Sequence, residues 1–124
     1  MTQITRADES ALRRSVPALA ALRLAFATLM VTRPGESRLV GARELALGLG
    51  TLDAARRGAP VSGWVGAMAI ADGSDAAVFA GHALTTDRLA DPGARRKAWV
   101  LAAFAASGLL AEGLTAYALR RSGD

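Results

Sequence analysis

The stretch RLVGARELALGLGTLDAARR (residues 38–57) has the Leu, Ala and Gly content of a membrane helix, yet it carries adjacent charges at Arg43 and Glu44. A charge at the centre of a membrane helix costs about 3 kcal/mol, so it must be paired, interfacial or hydrated. Small and polar residues also follow a three- and four-residue spacing, which places them on one helical face. They are Gly41, Glu44, Gly48, Thr51 and Ala55. Because small residues let membrane helices approach closely, this face is predicted to point inward with its charge paired.

The composition of the whole chain points the same way. The 124 residues suffice for one domain, 52% are hydrophobic, only 21% are charged, and the mean hydropathy is positive. A small soluble domain needs a polar exterior, which this composition does not supply. The absence of Cys excludes disulfides and thiolate metal sites. The net charge of +4 comes from basic groups that flank apolar blocks, and aromatic residues make up only 5%, so membrane-flanking loops are expected and a nucleic-acid partner is not.

Four apolar blocks predict an all-α fold, a four-helix transmembrane bundle that forms a single domain over residues 1–124. The helices are expected at about residues 15–32, 37–57, 60–84 and 92–121, after a short amphipathic N-terminal lead-in. Ser15 suits an N-cap and Pro17 a first helical turn, and Asp91 with Pro92 forms a clear start signal for the fourth helix. The apolar block at residues 98–119 would span about 33 Å at 1.5 Å per residue, which matches a bilayer core.

The first block also has features of a cleaved signal. Arg13 and Arg14 precede an apolar run that contains a possible cleavage site at Ala25-x-Ala27. Arg23 interrupts this run, and three further apolar blocks follow it. We therefore expect the first block to remain as a helix of the mature protein.

Six charged residues fall within the four blocks and are expected to form a buried polar network. They are Arg23, Arg43, Glu44, Asp72, Asp75 and Glu112. Arg43 is expected to meet Asp72 or Asp75. Arg23 is expected to meet Glu44 or Glu112. Such a network can fix helix register, or it can form a polar pocket or proton path, and the sequence leaves both readings open.

Two other helices carry similar inward stripes. In the third helix the stripe is Val65, Met68, Asp72, Asp75, Phe79 and His82, and in the fourth it is Gly108, Glu112 and Thr115. Thr51 and His82 are candidates to line a pocket. Asp72, Asp75 and His82 could in principle share a metal ion, but the chain's one His is better placed at a helix end, so no metal site is expected. With no P-loop, dinucleotide fingerprint or His-Glu-x-x-His, neither a catalytic residue nor a cofactor is predicted, and the chain is not expected to be an enzyme.

Aromatic and basic residues mark the predicted membrane boundaries. Trp64, Trp99 and Tyr117 lie near block ends, where interfacial aromatic residues occur. With four spans, seven arginines would lie on the side of both termini: Arg6, Arg13, Arg14, Arg56, Arg57, Arg120 and Arg121. Six basic residues would lie opposite: Arg33, Arg38, Arg88, Arg95, Arg96 and Lys97. This balance does not predict an orientation.

The segments RLVGARELALGL (residues 38–49) and ADGSDA (residues 71–76), with an Arg pair between them, resemble a family of small four-helix bacterial membrane proteins of unknown function. In that family a Gly-Ala-Arg-Glu core on the second helix accompanies an Asp-x-x-Asp on the third. Arg43, Glu44, Asp72 and Asp75 match these positions, and the resemblance extends over residues 22–119. It implies a topology and no particular substrate.

The predicted function is that of a multi-pass protein of the cell (inner) membrane, a structural or partner subunit held together by its polar network. Its expected partners are the lipid bilayer and either further copies of itself or another membrane protein. A small proton-linked transporter is one alternative, because acids outnumber arginines in the predicted network. A soluble Ala-rich helical bundle that buries its apolar faces by forming oligomers is another.

Overall fold

A computed structural model of the chain describes residues 6–32, 35, 37–87 and 90–124, and within these residues it is all-helical with no strands. The four helices are α1 (Arg6–Val31), α2 (Ser37–Arg56), α3 (Ser62–Thr85) and α4 (Pro92–Arg121). The predicted all-α class and the number of helices are confirmed. Asp91 accepts a hydrogen bond from the Ala94 amide at 2.8 Å, so the predicted start of α4 is capped as expected.

The predicted start of the first helix at Ser15 is wrong, because α1 begins at Arg6 and continues through Pro17. Proline inside a helix removes a backbone donor and usually ends or kinks the helix. Here the residues just before the proline are held by tertiary contacts. Val16 is buried, and Arg13 pairs with Asp124 at 3.2 Å. The predicted lead-in is therefore the first part of α1.

The contacts divide the chain into two compact units. The first unit contains Met1–Val65 and Thr115–Asp124, and the second contains Gly66–Leu114. The first unit thus includes α1, α2, the first turn of α3 and the last turns of α4. The second includes the remainder of α3 and α4.

In the first unit α1 and α2 pack as an antiparallel pair at very close approach. A Cβ on Gly41 would lie 2.6 Å from the Val31 backbone nitrogen, and one on Gly48 would lie 2.9 Å from the Leu24 side chain and 3.3 Å from the Ala20 carbonyl. The contacts move back along α1 as α2 advances, which defines the antiparallel direction. Only glycine permits this separation, as the stripe of small residues predicted.

The first unit is closed at one end by a hydrophobic cluster. It consists of Val16, Ala54, Val61, Val65, Ala116 and Leu119. The chain enters this end after α2 through Gly58, whose φ of +65° is the left-handed conformation that favours glycine. The Ala59 amide donates to the Ala54 carbonyl at 2.9 Å and the Gly58 amide to Ala55 at 3.3 Å, which is a Schellman end to α2.

In the second unit α3 and α4 form a helical hairpin. Gly73 of α3 faces the side chain of Leu109 of α4, with an added Cβ 3.5 Å from it. Asp72 lies directly against Gly108, where a Cβ would overlap its carboxylate. Alanines line much of the buried face of α4, including Ala98, Ala102 and Ala105. Small side chains therefore set this helix contact too.

Two helices among the described residues are long and apolar enough to cross a membrane: α4, over Pro92–Arg121, and α1, over Arg13–Val31. Length and composition alone are weak evidence, since the core helix of a soluble protein or a signal sequence has them too. Only 22% of each apolar stretch is buried, which is not the environment of a core helix. Helices α2 and α3 do not meet the same criterion, because their internal charges lower their hydropathy.

Candidate functional site

The interface between α1 and α2 is centred on a buried ion pair. Arg23 of α1 is 7% exposed and Glu44 of α2 is 2% exposed. Arg23 Nη1 donates a hydrogen bond to Glu44 Oε2. The sequence predicted that Arg23 meets Glu44 or Glu112, and the contact with Glu44 is confirmed.

The second oxygen of Glu44 is also engaged. Arg43 Nη2 and Nε donate to Glu44 Oε1 at 2.9 Å and 3.1 Å, and the Arg43 side chain is 35% exposed. Glu44 thus accepts from a guanidinium at each carboxylate oxygen, the geometry of strong, charge-assisted hydrogen bonds. The predicted partners of Arg43, Asp72 and Asp75, belong to the second unit, and that pairing stays a prediction.

The predicted inward stripe of α2 is largely confirmed. Gly41, Glu44, Gly48 and Thr51 are buried, and Ala55 is partly buried. The Thr51 hydroxyl donates to the Leu47 carbonyl at 2.7 Å, so its proton is used within its own helix. Thr51 therefore packs in the interior, and its predicted role in lining a pocket stays a prediction.

In the second unit acidic side chains lie among small residues. Asp72 and Asp75 are partly buried on α3, and Glu112 is only 4% exposed on α4. The register of the hairpin places Asp72 beside Gly108, one helical turn before Glu112. The sequence correctly placed Glu112 on an inward face. The first unit holds two basic members of the predicted network and one acidic member, whereas the second holds three acids.

The end of the predicted α3 stripe does not point inward. His82 is exposed, whereas its neighbour Ala83 is fully buried. In the part of the chain that the structure describes, no group of three or more His, Asp or Glu side chains could hold a metal ion. The structure thus does not assemble Asp72, Asp75 and His82 into such a group.

Outside these interfaces the surface is apolar to an unusual degree. Leu39 and Ile70 are 77% and 72% exposed, the highest values among the large hydrophobic side chains that the structure describes. On α4 the exposed set is Trp99, Val100, Phe104, Leu109, Leu110, Leu114 and Tyr117. The buried set, in contrast, is dominated by Ala and includes Arg23, Glu44 and Glu112. Many large apolar side chains thus lie on the surface, while three charged side chains lie in the interior.

Sequence reasoning missed a contact made by Asp124. Its Oδ2 accepts from the Val61 and Ser62 amides at 2.8 Å and 2.7 Å, and its Oδ1 pairs with Arg13 at 3.2 Å. The Asp124 side chain is 2% exposed. It caps the start of α3 from a distant part of the chain and ties that start to α1. No local pattern signals such a cap, because the usual capping residue is the helix's own N-cap.

The motif GLG at residues 48–50 packs helices, as the sequence predicted. Gly48 contacts Leu24 of α1, and the ring of Trp64 lies over Gly50, where a Cβ would overlap it. Trp64 is 39% exposed despite this contact. The ring therefore has one face on the protein and part of its surface outside.

Comparisons with known proteins give no match for this chain, whether against protein families, curated proteins or solved structures. The resemblance to small four-helix bacterial membrane proteins therefore stays a prediction. Function has to be inferred from the fold and from the contacts of its side chains.

Proposed function

We propose that this chain is a multi-pass integral protein of the cell (inner) membrane that serves as a structural or partner subunit. The observation that carries the proposal is the combination of charged side chains in the interior with large apolar side chains on the surface. Arg23 and Glu44 pair between α1 and α2, while side chains such as Ile70 and Phe104 are exposed. A lipid bilayer is the environment that favours both features, because it solvates apolar side chains and disfavours charges that face it.

The size of the exposed apolar surface supports a membrane location. Burying a Leu, Ile, Phe or Val side chain contributes about 1.5–3 kcal/mol relative to leaving it in water. Among the described residues, ten side chains of these types are at least 57% exposed: Leu22, Leu39, Leu49, Ile70, Val78, Leu84, Val100, Phe104, Leu110 and Leu114. In water each would forgo much of that contribution, whereas in a bilayer each is already in an apolar medium.

The geometry of Glu44 favours a structural role for the ion pair in the first unit. Both carboxylate oxygens accept hydrogen bonds from guanidinium groups. A carboxylate held on both sides is suited to fixing the register of α1 against α2. A proton-carrying carboxylate needs an oxygen that can accept and release a proton along a conduction path. Glu44 is therefore less suited to carrying protons than the other buried acids.

Extraction and flotation test the membrane location. We expect the expressed protein to remain with membranes through alkaline carbonate washing and to float with lipid in a density gradient. Recovery in the aqueous phase as a defined oligomer, without detergent, would contradict the proposal and support the soluble bundle instead.

Cysteine labelling tests the multi-pass topology, because the chain has no native Cys. Ala11 lies in the first half of α1, and Ala90 lies between α3 and α4. Both residues are exposed. With four spans, Ala11→Cys and Ala90→Cys should react with a membrane-impermeant maleimide from opposite sides. Labelling of both from the same side would exclude four spans. Labelling of each variant after detergent lysis is the control for reactivity.

A small proton-linked carrier is the second candidate, favoured by the acids of the second unit. Asp72 and Glu112 lie in the hairpin of α3 and α4, and ionisable groups inside a membrane commonly move protons or ions. For a carrier, Asp72→Asn and Asp75→Asn should leave the amount of folded protein unchanged and abolish pH-dependent flux in vesicles. For a structural network, both should lower the folded amount. Asp87→Asn, at an exposed position, is the matched control.

A further inference from the structure

Three pairs of arginines meet at one end of the first unit. They are Arg13 and Arg14 on α1, Arg56 and Arg57 at the end of α2, and Arg120 and Arg121 at the end of α4. Each pair lies within three residues of a member of the hydrophobic cluster, namely Val16, Ala54 or Leu119. We call these six residues the arginine cluster.

The arginine cluster is largely uncompensated by acids. Two aspartates with described side chains lie at this end, Asp53 and Asp124, and each pairs with one arginine of the cluster. Six arginines against two aspartates leave a net positive charge of four. The sequence upstream adds Arg6, Asp8 and Glu9, which lowers this figure to three. Around the start of α4, Arg95, Arg96 and Lys97 are accompanied by Asp87 and Asp91, so the described charges of this segment leave a net positive charge of only one.

The cluster is also accessible. Arg14, Arg56 and Arg120 are exposed, and the side chains of Arg13 and Arg57 are 47% and 71% exposed although both are paired. Exposed guanidinium groups at this density form a surface for anions with several acceptor oxygens, because each guanidinium presents a planar fork of donors.

The order of side chains along the helices specifies the kind of anion. Along α4 the exposed side chains change from Leu114 to Tyr117 and then to Arg120 and Arg121, and the Arg121 guanidinium lies 5.5 Å from the centre of the Tyr117 ring. Along α2 and α1 the exposed side chains change from apolar to basic without an aromatic residue between them, from Leu49 to Arg56 and from Leu22 to Arg14. Apolar, aromatic and basic side chains in this order match the acyl chains, the interface and the headgroups of a bilayer.

The distances agree with this assignment. Four residues of helix separate Tyr117 from Arg121, which is about 6 Å at 1.5 Å per residue. The headgroup region on each side of a bilayer is about 5–8 Å thick. With Tyr117 at the boundary of the acyl chains, the arginines lie at the level of the phosphates.

We propose that the arginine cluster binds the phosphate headgroups of anionic phospholipids, and that this end of the first unit therefore faces the anionic leaflet of the membrane. This inference rests on the proposed membrane location.

Reconstitution in vesicles of defined composition tests the proposal. The purified full chain is placed in phosphatidylcholine vesicles with and without phosphatidylglycerol, and the association of spin-labelled lipids of both kinds is measured. We expect the wild type to prefer phosphatidylglycerol. The variant Arg14→Gln/Arg56→Gln/Arg120→Gln should lose that preference. The ratio of phosphatidylglycerol to phosphatidylcholine association should fall by up to about fivefold for each arginine replaced, at low ionic strength. The matched variant Arg95→Gln/Arg96→Gln/Lys97→Gln changes the net charge equally and should keep the preference.

Each other outcome overturns the proposal in a recognisable way. Equal losses in the two triple variants would show that total charge decides the preference. Displacement of phosphatidylglycerol by millimolar inorganic phosphate would assign the cluster to a free anion. Salt-resistant binding of a duplex oligonucleotide would assign it to nucleic acid. A chain that resists carbonate extraction but lacks any lipid preference would refute this inference alone, whereas a chain released by carbonate would refute the membrane location itself.

Discussion

The interface between α1 and α2 and the outer surface of α4 obey opposite rules. The interface contains glycines, alanines and the Arg23–Glu44 ion pair, whereas the outer surface of α4 presents Phe104 and Leu110 at 67% and 65% exposure. In water, large apolar side chains would take the interior. The difference agrees with the proposed membrane location, where apolar side chains gain nothing by leaving the solvent and helices associate through close packing and ion pairing.

Removal of the buried acceptor should have the largest effect. In Glu44→Ala, Arg23 loses the carboxylate it bonds to inside the interface, and breaking such a buried pair costs about 3–5 kcal/mol. We expect a corresponding loss of stability in detergent or lipid, measured by circular dichroism during unfolding. The double variant Arg23→Leu/Glu44→Leu removes both charges and should recover most of the loss. A Glu44→Ala variant as stable as the wild type would show that the Arg23–Glu44 ion pair does not stabilise the interface between α1 and α2.

A charge placed on the outer surface tests the other side of the comparison. Phe104→Asp puts a carboxylate near the middle of α4, and at the centre of a membrane helix this costs about 3 kcal/mol. Membrane integration, measured as the carbonate-resistant fraction, should fall. Phe104→Ala is the control and should remain largely integrated. If Asp at this position changes neither integration nor stability, the outer surface of α4 faces water.

Helix contact at glycine should respond next. Gly41→Ala places a methyl group 2.6 Å from the Val31 backbone nitrogen, so the helices must separate, at a cost of about 1–3 kcal/mol. Gly81→Ala adds the same methyl group where nothing lies within 4 Å. That control should be neutral or slightly stabilising, because Ala favours helix over Gly. Equal melting temperatures for the two variants would show that close approach at Gly41 is unimportant.

The cap made by Asp124 should give the smallest effect. Asp124→Ala removes the acceptor of the Val61 and Ser62 amides, and loss of a helix cap costs about 1 kcal/mol. Hydrogen exchange at the first turn of α3 should accelerate. Asp53→Ala, which removes an exposed pair with Arg57, should change stability by less than about 0.5 kcal/mol. Unchanged exchange in Asp124→Ala would show that the cap contributes nothing.

Much of the first interface could be predicted from sequence because its pattern is local. The stripe containing Gly41, Glu44 and Gly48 repeats at helical spacing, so its inward face follows from the period. A buried arginine also needs a nearby acid, which made Glu44 one of two predicted partners for Arg23. The local signals failed at Pro17, where a typical helix start lies inside α1.

The amino-acid sequence by itself determined that the chain is helical, where α2, α3 and α4 lie to within two residues, and which face of α2 is buried. These properties depend on the hydrophobic period and on capping residues, which act over a few neighbouring positions. Only the tertiary structure decided that α1 continues through Pro17, that Arg43 donates to Glu44, and that Asp124 caps α3. Each of these features depends on groups that tertiary packing brings within about 3 Å of each other. The helical period of the sequence does not specify such distances.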